Sequence, residues 1–348
     1  MSQTARFRGK KENKDGQTSK GNAQNLESEK VVTKSKTWSL IKYILKLVII
    51  IPVVLYLLAV TLIYTSSFVR EQAIFLNYAN NPFVNFSTPE AYGAKGAINF
   101  HINGPAGKLG TWYIPAKEIP NTNLGDGQPI FLYLHGNAFN RAEPHRVALY
   151  QVLSKLSFHV VTFDYRGFAD SEGHPSEEGL IEDGLTVWKW IKRRSKKAPV
   201  YIWGHSLGSG VATGVAERLT QMRAPPKGLI LEAAFNSVYD AGLDHSLAKP
   251  FKFLPYFHEV VMESFKGVFE TDKRLGNVNC PVLMLHDHDD DIIPFKYGKK
   301  LQVYATKQRR AKGFPEIELL EFHDKLGHNW IITSKLIPGL LRDFMKKV

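Results

Sequence analysis

Residues Val200-Tyr201-Ile202-Trp203-Gly204-His205-Ser206-Leu207-Gly208, with Val211, Ala212, Val215, Ala216 and Leu219 behind them, make the architecture legible. The first four are apolar and of strand-forming type, so they read as a short buried strand. The last five recur at helical spacing. Between them stands G-x-S-x-G, the pattern of a sharp strand-to-helix turn that presents a serine hydroxyl. The positions two before and two after the serine must approach neighbouring backbone closely, which glycine alone permits without cost. The helix that starts there brings its positive end towards any oxyanion forming at the serine.

A serine nucleophile needs a base, and the base needs an orienting carboxylate. On a strand–turn–helix framework they are expected in the order Ser, acid, His, each in a loop after a strand. The chain supplies both. After Pro281–Leu285 comes His286-Asp287-His288-Asp289-Asp290-Asp291, and after Ile317–Phe322 comes His323-Asp324-Lys325-Leu326-Gly327-His328. We assign His328 as general base and Asp290 as the acid, with Asp289 as the alternative. His323, directly after its strand, is read as structural. Two backbone N–H groups are needed for the oxyanion. Leu207 follows the nucleophile, and Asn137 lies in His135-Gly136-Asn137-Ala138, just after the run Phe131–Leu134. A rival reading takes His286-x-His288-x-Asp290 as the opening of a metal motif. It leaves Ser206 unexplained and has Asp291 where a further histidine is expected, so no metal and no cofactor are assigned.

Eight apolar runs read as strands: 98–102, 112–114, 130–134, 159–163, 200–203, 229–231, 282–285 and 317–322. Helical faces fall between most of the later ones. One is Val147, Tyr150, Leu153 and Leu156; another runs from Leu180 to Ile191, with Ser176 as its N-cap. This alternation implies an α/β fold with a parallel sheet covered on both faces. Residues 236–276 interrupt the alternation and read as a cap insertion.

The chain has 348 residues and a formal charge of +12. Residues 1–46 hold eleven Lys/Arg against four Asp/Glu, a net +7, which leaves +5 for the remainder. A basic tail is not a basic domain, so no nucleic-acid partner is assigned. A single cysteine, Cys280, excludes an intrachain disulfide. Residues 1–36 are polar and read as a disordered cytosolic tail. Leu47–Tyr64 is uncharged over 18 residues. Widened to 43–65, it is long enough to cross a bilayer of roughly 30 Å as an uncleaved anchor. Lys34, Lys36, Lys42 and Lys46 precede the span and only Arg70 follows closely, so the tail is expected in the cytosol and residues 66–348 across the membrane. The sequon at Asn85 is then available for glycosylation.

With these residues placed, the chain resembles the α/β-hydrolase fold family from about residue 75 to its end. The resemblance lies in Tyr133–Ala138, His145-Arg146-Val147 with Leu149-Tyr150, His159–Gly167 and Val200–Gly208. It is similar in particular to the family's membrane-anchored lipases. That resemblance implies a mostly parallel eight-stranded sheet and a Ser-His-Asp serine hydrolase without a cofactor. It also implies an endoplasmic reticulum membrane location, with the catalytic domain luminal or extracellular. The implied substrates are single-chain lipid esters such as lysophosphatidylserine and monoacylglycerol. Two positions depart from the family pattern. Ala169 stands for the second glycine of a D-Y-R-G-x-G-x-S turn, and the chain is two residues shorter before His328.

The cap segment carries Phe251, Phe253, Leu254, Tyr256, Phe257, Val260, Val261 and Phe265, and is expected to line an acyl-chain site and meet the membrane. Two other function classes remain, a protein depalmitoylase and a non-catalytic membrane binding protein on a hydrolase-like body. An intact Ser, His and Asp set argues against the last of these.

Overall fold

The computed structural model describes residues 15–117, 123–244 and 251–348, the side chains from residue 25 onward. Residues 1–62 and 63–348 form two separate compact units.

The first unit is almost wholly helix α1 (Asp15–Thr65), which contains Pro52. Its stretch from residue 25 onward is long and apolar enough to cross a membrane, and its side chains face outward. The helix starts well before the apolar span. It therefore takes in residues 15–36, which the polar composition marks as disordered, while residues 1–14 lie outside the described residues. No proline falls between Asp15 and Lys46, so nothing covalent stops the apolar helix from propagating backwards into the polar stretch.

The second unit opens with α2 (Ser67–Ile74), capped by the Ser66 hydroxyl, which accepts from the Val69 N–H at 3.3 Å. The strands follow as β1 (Ile98–Gly104), β2 (Gly107–Ile114), β3 (Ile130–Leu134), β4 (His159–Phe163), β5 (Val200–His205), β6 (Leu229–Glu232), β7 (Val282–Asp287) and β8 (Ile317–Phe322). Their order in the eight-stranded sheet is β1-β2-β4-β3-β5-β6-β7-β8. The pairs β1–β2 and β2–β4 are antiparallel and all others parallel. All eight expected strands are present.

The intervening helices are α3 (Pro144–Lys155), α4 (Glu177–Lys192), α5 (Leu207–Gln221), α6 (Val238–Asp244), α7 (Phe257–Phe265), α8 (Thr271–Leu275), α9 (Phe295–Ala311) and α10 (Ile337–Lys346). The Ser176 hydroxyl caps α4 by accepting from the Gly179 N–H at 3.1 Å. Along β3 the side chains divide by parity, as strand geometry requires. Ile130, Leu132 and Leu134 join one buried layer with Ile181, Val211, Val215 and Leu301 from α4, α5 and α9. Phe131 and Tyr133 join the other with Tyr150, Leu153, Leu341 and Phe344 from α3 and α10. Each fully buried side chain of that size contributes about 1.5–3 kcal/mol relative to exposure. The two layers hold the C-terminal ends of β3, β5, β6, β7 and β8 along one rim.

The 236–276 segment lies between β6 and β7. Its last part is body rather than cap, because Phe269, Thr271 and Leu275 are fully buried. Phe251, Phe253 and Tyr256 are exposed. Residues 245–250 lie outside the described residues.

Candidate active site

Ser206 caps the N-terminus of α5 with φ 53° and ψ −122°, a left-handed value that non-glycine residues rarely adopt. The two glycines of the motif explain how the turn closes. A Cβ on Gly204 would overlap the Gly208 carbonyl and Ala212, and one on Gly208 would overlap the Leu134 carbonyl. The Ser206 N–H donates to the Glu232 carbonyl at 2.9 Å, tying the elbow to the neighbouring strand.

Asp290 and His328, from loops after different strands, come together. Asp290 Oδ2 lies 2.8 Å from His328 Nδ1. The Ile292 and Ile293 N–H groups donate to Asp290 Oδ1 at 2.9 and 2.7 Å, and His286 Nε2 stands 3.4 Å from Oδ2. Burial by itself would raise the Asp290 carboxyl. The hydrogen bonds from His286 and His328, the His328 charge and the Ile293 N–H outweigh it and hold the group well below the usual carboxylate range. It is an anion at any working pH, suited to orienting an imidazolium. Asp289 instead uses its N–H to reach Asp287 Oδ1 at 2.7 Å. The short loop before His328 reaches this position through two left-handed residues, Lys325 and Gly327, with φ 56° and 58°.

His328 is held beside the elbow by a residue the motif treats as variable. His205 Nε2 lies 2.8 Å from the His328 carbonyl oxygen, and the two rings are 4.9 Å apart. A carbonyl can only accept, so Nε2 carries the proton. Burial, then the nearby His328 and His145, push the His205 imidazole well below its ordinary value, so it is a neutral donor. No sequence signal could have assigned this role, because the partner lies 123 positions away.

The N–H groups expected as oxyanion donors, those of Leu207 and Asn137, have no acceptor among the described residues. Leu207 is the first residue of α5, so its N–H has no intrahelical acceptor. Among the described residues no acceptor takes the Asn137 N–H. Its direction follows from peptide geometry, since the Gly136 carbonyl and the Asn137 N–H belong to one trans plane and point opposite ways. The Gly136 carbonyl accepts from His135 Nδ1 at 2.7 Å and from Arg146 Nη2 at 3.2 Å. Arg146 is fully buried and also donates to the carbonyls of Ala138 at 3.0 Å and Asn140 at 2.8 Å. The guanidinium thus gathers the loop's carbonyls inward. Arg146 appeared in the sequence only as part of a resemblance, without a role.

Glu232 is a second feature not expected from sequence. Burial pushes its carboxyl up to about 8, and the Asp290 charge adds to the rise, against the Trp203 indole N–H that donates to it at 2.9 Å. It therefore sits under the site as a neutral acid near neutrality.

The three residues of the metal reading do not converge: His286 and Asp290 are in contact, and His288 faces away from them. His286 and Asp290 are buried, His286 donating from Nε2 to the Ile293 carbonyl at 2.8 Å, whereas His288 is exposed and stacked on Phe295 and His323. His288, Glu321 and His323 do bring ligand atoms within 4.8 Å of one another, all of them exposed. The Glu321 carboxylate there already pairs with Lys299 at 3.3 Å and with His288 at 3.0 Å. An open cavity of about 1180 Å³ lies at the other ends of the strands, lined by Val200, Cys280 and Pro281 among others, far along β5 from Ser206.

Residues 129–272 match the family model described as alpha/beta hydrolase fold. The chain is 36% identical over 310 residues to the lysophosphatidylserine lipase ABHD12 of Danio rerio, covering 84% of this chain and 81% of that protein. It is 38% identical to the Rattus norvegicus protein of the same name, over 80% of this chain and 74% of the relative. It is 36% identical to the Homo sapiens protein ABHD12B, over 80% of each. Among solved structures, an alpha-beta hydrolase from Vibrio vulnificus superposes with a TM-score of 0.57 at 22% identity, covering 74% of this chain and 83% of that one. A Pyrococcus furiosus esterase does so with a TM-score of 0.56 at 17% identity, over 77% and 96%. These two show the fold.

Proposed function

The chain belongs to the α/β-hydrolase fold family, in the group that holds the ABHD12 and ABHD12B proteins, and from that premise we propose a membrane-anchored lipase for single-chain lipid esters. It is a carboxylic ester hydrolase. The proposed substrates are lysophosphatidylserine, as the relatives' names suggest, and monoacylglycerol.

In the proposed reaction Ser206 Oγ attacks the ester carbonyl while His328 takes its proton, and the oxyanion is held by the Leu207 and Asn137 N–H groups. Asp290 keeps the imidazole in the required tautomer and stabilises the imidazolium. Collapse breaks the ester C–O bond, and His328 returns the proton to the departing headgroup alcohol. Water then attacks the acyl-enzyme, again deprotonated by His328, and the fatty acid leaves with Ser206 restored. The observation that carries this reading is the 2.8 Å contact between Asp290 and His328 on a loop tied by His205 to the Ser206 elbow.

The orientation proposed is a cytosolic tail and a catalytic body in the endoplasmic reticulum lumen or outside the cell, resting on the lysines before the apolar span. A fluorophosphonate probe tests the nucleophile. The full-length protein should be labelled and its Ser206→Ala variant should not, with turnover of both lipid classes lost in parallel. Labelling that survives Ser206→Ala removes the proposal. Robust hydrolysis of S-acylated peptides without lysolipid turnover moves it to the depalmitoylase class.

A further inference from the structure

The loop that aims the Asn137 N–H is strained. Ala138 and Phe139 are consecutive non-glycine residues with φ 59° and 55°. Left-handed backbone is unfavourable for residues of this kind and persists only where surroundings over-determine it. Arg146 supplies the inner support. The outer support comes from residues 74–80, the last residue of α2 and the segment that follows it.

Asn137 pairs its side-chain amide with that segment as if it were backbone. Its Nδ2 donates to the Ile74 carbonyl at 2.5 Å, and its Oδ1 accepts from the Leu76 N–H at 3.0 Å. Two further bonds follow along the strap. The Phe139 N–H donates to the Ala79 carbonyl at 2.8 Å, and Asn140 Nδ2 donates to Asn80 Oδ1 at 2.6 Å. The strap is anchored independently of the loop. Phe75 is fully buried with its ring edge-on to Phe269 at 6.2 Å, and Asn77 Nδ2 donates to the Gly167 carbonyl at 2.9 Å.

We infer that residues 74–80 are part of the active site: acting through the Asn137 side chain, they are a positioning element that keeps the Asn137 N–H aimed at the oxyanion. The inference rests on the serine-hydrolase reading. It assigns two jobs to one residue, a backbone N–H for the reacting oxygen and a side chain that secures it from outside. The segment joining the apolar helix to the catalytic body is then a working part rather than a spacer.

The test uses the full-length chain in phospholipid vesicles. Asn137→Ala keeps the backbone N–H and removes both bonds to the strap, together with the bond at 3.0 Å from the Ala138 N–H to Oδ1 within the loop. Loss of aim at one donor is expected to lower kcat on the order of 10-fold to 100-fold. KM should change little, and affinity for a trifluoromethyl ketone, which forms the tetrahedral adduct, should fall in parallel with kcat. Phe75→Ala, on the strap alone, should give the same pattern more weakly. The double variant should be no slower than Asn137→Ala, because both act through one linkage. Asn137→Asp keeps the acceptor for Leu76 and should fall between wild type and Asn137→Ala. If Phe75→Ala does not fold, Asn77→Ala releases the strap at Gly167 instead. Unchanged kcat and adduct affinity in Asn137→Ala, or fully additive losses in the double variant, overturn the inference. Ser206→Ala is the control that separates the two ideas, since turnover persisting in it defeats the serine reading whatever the strap does.

Discussion

The C-terminal rim of the sheet and the 236–276 segment finish in opposite states. At the rim Ser206, His205, Asp290 and Glu232 are buried, and bonds join strands far apart in the chain. In the segment Phe251, Phe253 and Tyr256 remain 48%, 81% and 76% exposed. A side chain at the rim meets partners from several strands at once, so its position is over-determined. A short helical excursion meets few partners and leaves its aromatic face available to lipid. The proposed chemistry would then sit on the stiff region, and the proposed contact with an apolar substrate on the exposed one.

The strongest way to break that contrast is at Arg146. Arg146→Leu leaves the Ala138 carbonyl without its donor and takes one of two donors from the carbonyls of Gly136 and Asn140, which keep His135 Nδ1 and the Glu143 N–H. A loss of about 2–4 kcal/mol in denaturant unfolding is expected, with kcat falling alongside. A variant as stable and active as wild type would mean the rim is less constrained than its bonds imply.

Glu232 sharpens the contrast through pH. In the folded protein its carboxyl is pushed up to about 8, while in the unfolded chain it titrates near its ordinary value of 4.5. Between those values the folded state keeps a proton that the unfolded state releases. The stabilising contribution is therefore complete below the lower value and is lost as pH rises through the upper one. Glu232→Gln removes this slope, so melting temperatures measured across that window should fall less with rising pH than in wild type. Parallel curves would refute the neutral buried acid.

At the cap the expected effect is smaller and on activity alone. Phe253→Asp or Tyr256→Asp should leave stability within about 0.5 kcal/mol, as surface changes do. Turnover of long-chain monoacylglycerol in vesicles should drop several-fold while a short soluble ester is spared. Equal loss on both esters would argue against an acyl-contacting role.

The smallest effect is expected in the turn after β4, where Ala169 stands with φ 51° in place of the family glycine. The turn has not adjusted to the alanine, which simply carries the strain. Ala169→Gly should stabilise the protein by about 0.5–1 kcal/mol, since relief of left-handed strain exceeds the added chain entropy. Calorimetry would measure it.

Much of this was legible in the linear chain because it depends on neighbours. Eight apolar runs became eight strands, Ser176 became a cap, and Gly204 and Gly208 became the close approaches that the elbow requires. The candidate triad was legible in type and order. Asp290 was the preferred acid, but the sequence could not separate it from Asp289, because adjacent residues in a loop differ only in where the turn directs them. Arg146, His205 and Glu232 were silent for a similar reason. An arginine, a histidine and a glutamate carry no local mark of what they will meet.

Sequence alone determined the elements, the apolar helix and the kind of chemistry, since periodicity, steric need and nucleophile type are properties of short stretches. Tertiary structure alone decided which carboxylate meets the imidazole, which cation gathers the loop's carbonyls, and that a segment near residue 75 reaches the loop at residue 137. Those are contacts between groups that lie from 6 to 63 positions apart, and only a folded chain brings such groups within the few ångströms over which a hydrogen bond has any strength.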